Sequence, residues 1–246
     1  MTKIRADKLL IDRGVFASRA AARAAIEAGS VRADGRRVTK PSERLDLEAN
    51  LEAQPAHPYV SRGGVKLAHA FARWPGLDVE GAACLDLGAS TGGFTDVLLM
   101  QGAARVTAVD VGTGQLHARL AGDRRVHALE QTDARNLTAA QIEAPDLIVC
   151  DVSFIALEKL LAPVLAQLGP STRCALVLLF KPQFQVGRVH VGRGGIVRDQ
   201  AASAAAEARF AAWLAGQGWP SQDWADSPIT GGDGNAERLV WARPGE

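Results

Sequence analysis

The chain has 246 residues, 47% of them hydrophobic and 22% charged, with a formal net charge of +1. That is enough chain for one full α/β domain and a smaller companion, with the composition of an ordinary globular protein. Its longest apolar runs are strand-length, far below the ~18 residues of a membrane span, and no charged-then-apolar leader opens it, so a cytoplasmic protein is expected.

The net charge conceals an asymmetry. Residues 1–40 carry ten Lys/Arg against four Asp/Glu, whereas the rest carry 18 against 23. A basic head on a mildly acidic body predicts that the head meets a polyanion. Cys84, Cys150 and Cys174 are scattered without metal-ligand spacing, which predicts buried reduced thiols and no metal site.

Residues 1–45 read as two helices and a hairpin. Ile4, Leu9, Leu10 and Val15 give the first helix an apolar stripe, with Gly14 as its close. Ser18 is the expected N-cap of a second helix, Arg19 to Ala28, with Gly29 as its stop. A turn at Asp34-Gly35 between Val31 and Val38 predicts a compact hairpin. Arg19 and Arg23, four apart, share a helix face, which Arg5, Lys8, Arg13, Arg36 and Lys40 could extend into a basic surface. The pattern from Arg5 to Pro41, with its Ser18-Arg19 and Gly29-x-Val31 steps, resembles the S4-type RNA-binding domain. That resemblance implies contact with structured RNA through shape and phosphates.

Pro41, Pro55 and Pro58 flank a Glu-rich stretch that reads as a linker or a final edge strand. This places the small domain and linker at 1–55 and a larger domain at 56–246. Lys66 follows a glycine pair at the start of a helix that ends before Pro75. A lysine in a first turn opposes the helix dipole.

The stretch 83–102, ACLDLGASTGGFTDVLLMQG, reads as a buried strand, a glycine turn and a helix. That order lets backbone approach a ligand closely and aims helix amides at it. Ser90 stands where a dinucleotide fingerprint has its second glycine, which argues against a dehydrogenase. Strands follow at 105–110, 126–129, 146–151 and 174–180, alternating with helices near 114–120, 138–143, 155–168 and 199–216. A parallel, doubly wound sheet is predicted. Two further strand-like pieces, Gln222–Ala225 and Arg238–Ala242, are joined through a glycine-rich turn. A closing antiparallel hairpin on such a sheet is the class I methyltransferase architecture.

In an open parallel sheet the ligand lies at the carboxyl ends of the strands. There the sequence places Gly88, Ala89, Ser90, Gly92, Gly93 and Phe94, then Asp110, Asp133, Asp151 and Lys181. The glycine turn with Asp110 for ribose hydroxyls and Asp133 for an adenine amino group suits S-adenosylmethionine. Lys66, Asp151, Lys181 and Glu237 make two cations and two anions. A ribose 2′-hydroxyl is a poor nucleophile and needs a positioned base. A lysine beside a second cation in a partly desolvated pocket can supply one, and Lys181 is assigned that part. The loop Gln185–Asp199, with Arg188, His190, Arg193 and Arg198, reads as a mobile lid that contacts RNA phosphates.

Taken together, the S4-type head, S-R-G-G-x-K-L at Ser61–Leu67, D-L-G-A-S-T-G-G-F-T at Asp86–Thr95, C-D-V-S-F at Cys150–Phe154, K-P-Q-F at Lys181–Phe184 and S-P-I-x-G-x-x-G-N-x-E at Ser227–Glu237 resemble the TlyA family. These are two-domain ribosomal RNA methyltransferases with an FtsJ-like catalytic domain. The resemblance implies S-adenosylmethionine-dependent 2′-O-methylation of cytidine, in 23S RNA with 16S as a second candidate. It also implies that Lys66, Asp151, Lys181 and Glu237 match the family's catalytic tetrad. Of the family's two subgroups, the short termini around Arg5 and Glu237 fit the one that modifies 23S RNA. The rival reading is a non-catalytic, RNA-binding assembly factor that keeps the fold. The haemolysin label borne by some family members finds no membrane-seeking segment here.

Overall fold

A computed structural model describes residues 3–16, 18–168 and 173–245. The chain divides into two compact units, Met1–Pro58 and Tyr59–Glu246.

The first unit begins with a strand, β1 (Lys3–Arg5), followed directly by α1 (Ala6–Asp12) and α2 (Arg19–Glu27). Ile4 therefore belongs to a strand, and Val15 lies beyond α1, 38% exposed, so neither extends the helical stripe expected of them. β1 pairs antiparallel with β4 (Arg44–Asp46), a partner some forty residues away that satisfies its backbone. Ser18 caps α2 by accepting from the Ala21 amide, and Gly29 ends it in the left-handed region at φ 76°. The hairpin of β2 (Val31–Ala33) and β3 (Arg36–Arg37) turns at Asp34 and Gly35, both with positive φ, as a right-twisted two-residue turn requires. β5 (Leu51–Ala53) pairs with β2 on its other side. Of the two readings of the Glu-rich stretch the edge strand holds: it supplies β4 and, at the edge of the three-stranded sheet, β5. Leu9, Leu10, Ala22, Ile26, Val31 and Val38 form the small core.

The second unit is a seven-stranded sheet. Its elements are α3 (Gly63–Arg73), β6 (Ala83–Leu87), α4 (Gly93–Met100), β7 (Arg105–Val109), α5 (Ala118–Ala121), β8 (Val126–Leu129), α6 (Ala139–Ile142), β9 (Leu147–Cys150), α7 (Leu157–Leu165), β10 (Ala175–Phe180), α8 (Gln200–Gly216), β11 (Ser221–Asp226) and β12 (Arg238–Ala242). The order across the sheet is β11-β12-β10-β9-β6-β7-β8, with β12 and β11 antiparallel and the other pairs parallel. Unbroken apolar runs such as 147–150 arise because both faces are covered. Leu147 and Val149 join the core under α3 and α4, while Ile148 and Cys150 join the core under α7 and α8. The three cysteines are buried, and burial pushes the Cys84 and Cys174 thiols up to about 12, so they act as inert filling. The helix expected near 114–120 shrinks to α5, because His117 caps it by accepting from the Arg119 amide and glycines occupy 112 and 114.

Candidate active site

The site is built where β6, β7, β9 and β10 end. Gly88 leaves β6 at φ 82°, and a Cβ there would lie 2.8 Å from the Asp151 carbonyl oxygen. Only glycine permits that approach. Gly93 begins α4, and a Cβ on it would lie 2.2 Å from Ser61 Oγ and 2.9 Å from the Gly64 amide. The bare glycine lets the first turn of α3, which carries Lys66, come against the first turn of α4. Asp86, fully buried, accepts from the Thr95 amide (2.9 Å) and hydroxyl (2.7 Å) and so fixes α4 on β6. Burial pushes its carboxyl up to about 7.

The far ends of α3 and β12 are fastened as well. Trp74 Nε1 donates to Asp223 Oδ2 at 2.9 Å, and its ring stacks on Trp241 at 5.7 Å. Lys66, from α3, and Glu237, just before β12, therefore meet in a fixed register. Lys66 Nζ lies 2.6 Å from Glu237 Oε2 and 3.7 Å from Asp151 Oδ2. Lys181 Nζ lies 2.6 Å from Asp151 Oδ1 and donates to Ser153 Oγ at 3.0 Å. The four charges form one alternating row, Glu237–Lys66–Asp151–Lys181, and both lysine side chains are only 9% exposed. A row of this sign order cancels the self-repulsion that two buried lysines would otherwise suffer.

Two adjoining cavities open beside this row. One, of about 390 Å³, is walled by Asp110, Val111, Asp133, Val152 and Ile155; the other, of about 320 Å³, by Ser61, Lys66, Gly93 and Lys181. Gly88, Ser90, Asp151 and Ser153 line both. The first has the size of a nucleoside pocket. Asp110 Oδ2 accepts from the Ser90 amide (2.8 Å) and Oδ1 from the Gly112 amide (2.7 Å). Each oxygen keeps a second lone pair for a diol. Asp133 accepts from the guanidinium and amide of Arg135, which hold its carboxyl below the usual range. A nucleoside-sized cavity with a carboxylate on each wall and a glycine-turn floor fits S-adenosylmethionine.

Ala89 and Phe94 line the second cavity, with Phe94 also part of the core. Gly92 lines neither; at φ 91° it turns the chain under Leu116 and Leu120. Three contributors were not assigned from sequence. Ser153 holds Lys181. Phe154 stands 92% exposed at φ 68° on the wall of the first cavity, with its ring 5.3 Å from that of Phe184. Asn235 accepts from the Val197 amide and donates to the Gly195 carbonyl, both at 2.9 Å. The Gln185–Asp199 loop is consequently anchored to the closing hairpin rather than a free lid, and its His190 Nδ1 is 3.0 Å from Asp199 Oδ2. Arg188 and Arg193 are exposed on it.

In the first unit, Arg5 and Arg19 both reach Asp7 Oδ2, at 2.9 and 2.8 Å, across a carboxylate with no exposed side-chain surface. The Arg5 hydrogen bond, first, and then Arg19 hold the Asp7 carboxyl well below the usual range. Lys8 pairs with Asp12, while Arg23 and Lys40 are exposed.

A parallel sheet closed by an antiparallel hairpin, with this site on its carboxyl rim, defines a class I methyltransferase. Residues 59–244 match the FtsJ-like methyltransferase family and residues 4–51 the S4 domain. The chain is 44% identical to the 16S/23S rRNA (cytidine-2′-O)-methyltransferase TlyA of Mycobacterium tuberculosis, over 98% of this chain and 90% of that one. It is 38% identical to the 23S rRNA (cytidine-2′-O)-methyltransferase TlyA of Campylobacter jejuni, over 80% and 73%. A solved structure from Streptococcus thermophilus superposes with a TM-score of 0.76 at 38% identity, covering 100% of this chain and 90% of that one. The chain belongs to the TlyA family of ribosomal RNA methyltransferases. Among the described residues no helix is long and apolar enough to cross a membrane.

Proposed function

We infer that the chain transfers a methyl group from S-adenosylmethionine to the 2′-oxygen of a cytidine in ribosomal RNA. The observation that carries this is the Glu237–Lys66–Asp151–Lys181 row at the lip of a nucleoside-sized cavity. S-adenosylmethionine supplies an electrophilic methyl on a sulfonium. Gly88, Ala89, Ser90, Gly93, Asp110 and Asp133 would hold it, with Gly92 and Phe94 shaping the turn. Lys181, once deprotonated, would take the 2′-hydroxyl proton as that oxygen accepts the methyl group, the bonding pair staying with sulfur. Asp151 orients that amine, and Lys66, locked by Glu237, sets the position of Asp151. The exposed Phe154 ring, backed by Phe184, offers a face on which an extruded base stacks.

The first unit would dock on folded RNA through Arg5, Lys8, Arg19, Arg23 and Lys40, and Arg188 and Arg193 would meet phosphates near the target. The complete charge row favours this reading over a non-catalytic assembly factor. Incubation with methyl-labelled donor and unmodified ribosomal subunits, followed by digestion to nucleosides, tests it. Label in 2′-O-methylcytidine is expected, and label on a base, or on no nucleoside, would overturn it.

A further inference from the structure

We propose that Ser153 is a positioning residue for Lys181, an inference that rests on Lys181 acting as the base. A neutral amine nitrogen has one bond to carbon, two hydrogens and one lone pair. At Lys181 two acceptors stand around Nζ: Asp151 Oδ1 at 2.6 Å and Ser153 Oγ at 3.0 Å. With Cε and these two oxygens fixing three directions, the fourth, which carries the lone pair, is determined. Asp151, Ser153 and Lys181 all line the cavity that also holds Lys66, and a 2′-hydroxyl entering it would meet the amine along the direction left open. With Asp151 alone, the amine could rotate about Cε–Nζ and turn a hydrogen, rather than its lone pair, toward the substrate.

The hydroxyl also acts on the proton after transfer. A charged N–H donor makes a stronger hydrogen bond than a neutral one, so Ser153 steadies the ammonium that forms. Its place on the wall shared by both cavities puts this acceptor beside the path between donor and acceptor groups. Phe154 follows it in the left-handed region, a strained position that sets the direction in which this turn leaves β9.

The test compares the full-length wild type with Ser153→Ala, Ser153→Thr, Lys181→Ala and the Ser153→Ala/Lys181→Ala pair. Single-turnover methyl transfer to unmodified ribosomal subunits is followed across pH, with donor affinity measured in parallel. Ser153→Ala should lower the plateau rate about tenfold or more, the usual scale for a hydrogen bond to a charged group. It should also move the midpoint of the rate–pH curve to lower pH, because the ammonium loses an acceptor. Threonine should restore both rate and midpoint, and the second substitution should add nothing to Lys181→Ala.

Three outcomes would overturn the proposal. An unchanged plateau and midpoint in Ser153→Ala, beside an inactive Lys181→Ala, would remove Ser153 alone. A faster Ser153→Ala would mean that the hydroxyl donates into the lone pair and quenches it. Weaker donor binding at an unchanged plateau would make Ser153 a cavity wall. Full transfer by Lys181→Ala would instead remove the base on which the proposal rests.

Discussion

Lys181 Nζ lies 2.6 Å from Asp151 Oδ1, at the point where the neighbouring strands β10 and β9 leave the sheet. The parallel pairing of β9 and β10, with Leu178 beside Cys150, delivers both Asp151 and Lys181 to the carboxyl rim, and the side chains close the remaining offset of two residues. An arginine at 181 would keep the charge yet could never accept a proton. Lys181→Arg is therefore expected to bind donor and RNA but to transfer no methyl; recovery of more than a tenth of wild-type turnover would remove the general-base role.

Lys66 and Glu237 form a buried pair, with side chains 9% and 2% exposed. Removing Lys66 strands the Glu237 carboxylate, at about 3–5 kcal/mol, whereas removing Glu237 leaves Lys66 only the longer contact with Asp151. Lys66→Met and Glu237→Gln should each lower the urea midpoint, while the double variant recovers much of the loss and remains inactive. Additive losses in urea unfolding would show that the two do not stabilise one another.

Gly93→Ala places a methyl against Ser61 Oγ and the Gly64 amide. Overpacking of this kind costs about 1–3 kcal/mol and displaces the turn that carries Lys66. Calorimetric titration with S-adenosylhomocysteine and a turnover assay should show both affinity and rate reduced. Wild-type values for both would mean that the two helices yield freely.

Phe154 projects a ring almost entirely into solvent, so its removal should leave the melting temperature within a degree or two. Stacking on a base is worth about 1–3 kcal/mol. Phe154→Ala should raise KM for ribosomal RNA or slow transfer about tenfold, with donor affinity retained. Unchanged kinetics would leave the exposed ring without a part in the reaction.

Asp7 gathers Arg5 and Arg19. Its carboxyl is lowered by folding, so the stability it gives is present above the unfolded value near 3.9 and fades as pH falls below it. Asp7→Asn should melt below wild type at pH 7, the gap narrowing at pH 3. It should also weaken RNA binding as the two guanidinium groups lose their common anchor. A gap that does not change with pH would mean that the effect is not electrostatic.

Much of this was legible in the chain because parallel strands deliver their terminal residues to one rim. Asp110, Asp133, Asp151 and Lys181 could be placed from strand ends alone, and Lys66 and Glu237 joined them through the family pattern. Strand β1 was not legible: three residues carry no periodicity, and Ile4 finds its partner in Leu45. Nor was β4, its three-residue partner, whereas β5 is the final edge strand offered as one reading of the Glu-rich stretch. Ser153 and Asp7 escaped notice because their importance lies in which side chain they hold. A lone serine after a strand or an aspartate in a first helical turn looks like ordinary punctuation until its partner is in view.

The most direct measurement is transfer of labelled methyl to purified, unmodified ribosomal subunits by wild type beside Lys181→Ala, with both proteins shown to bind donor. The account predicts 2′-O-methylcytidine from the wild type alone, on whichever subunit carries the site. Equal label from both proteins, or none from a wild type that binds donor, would contradict it.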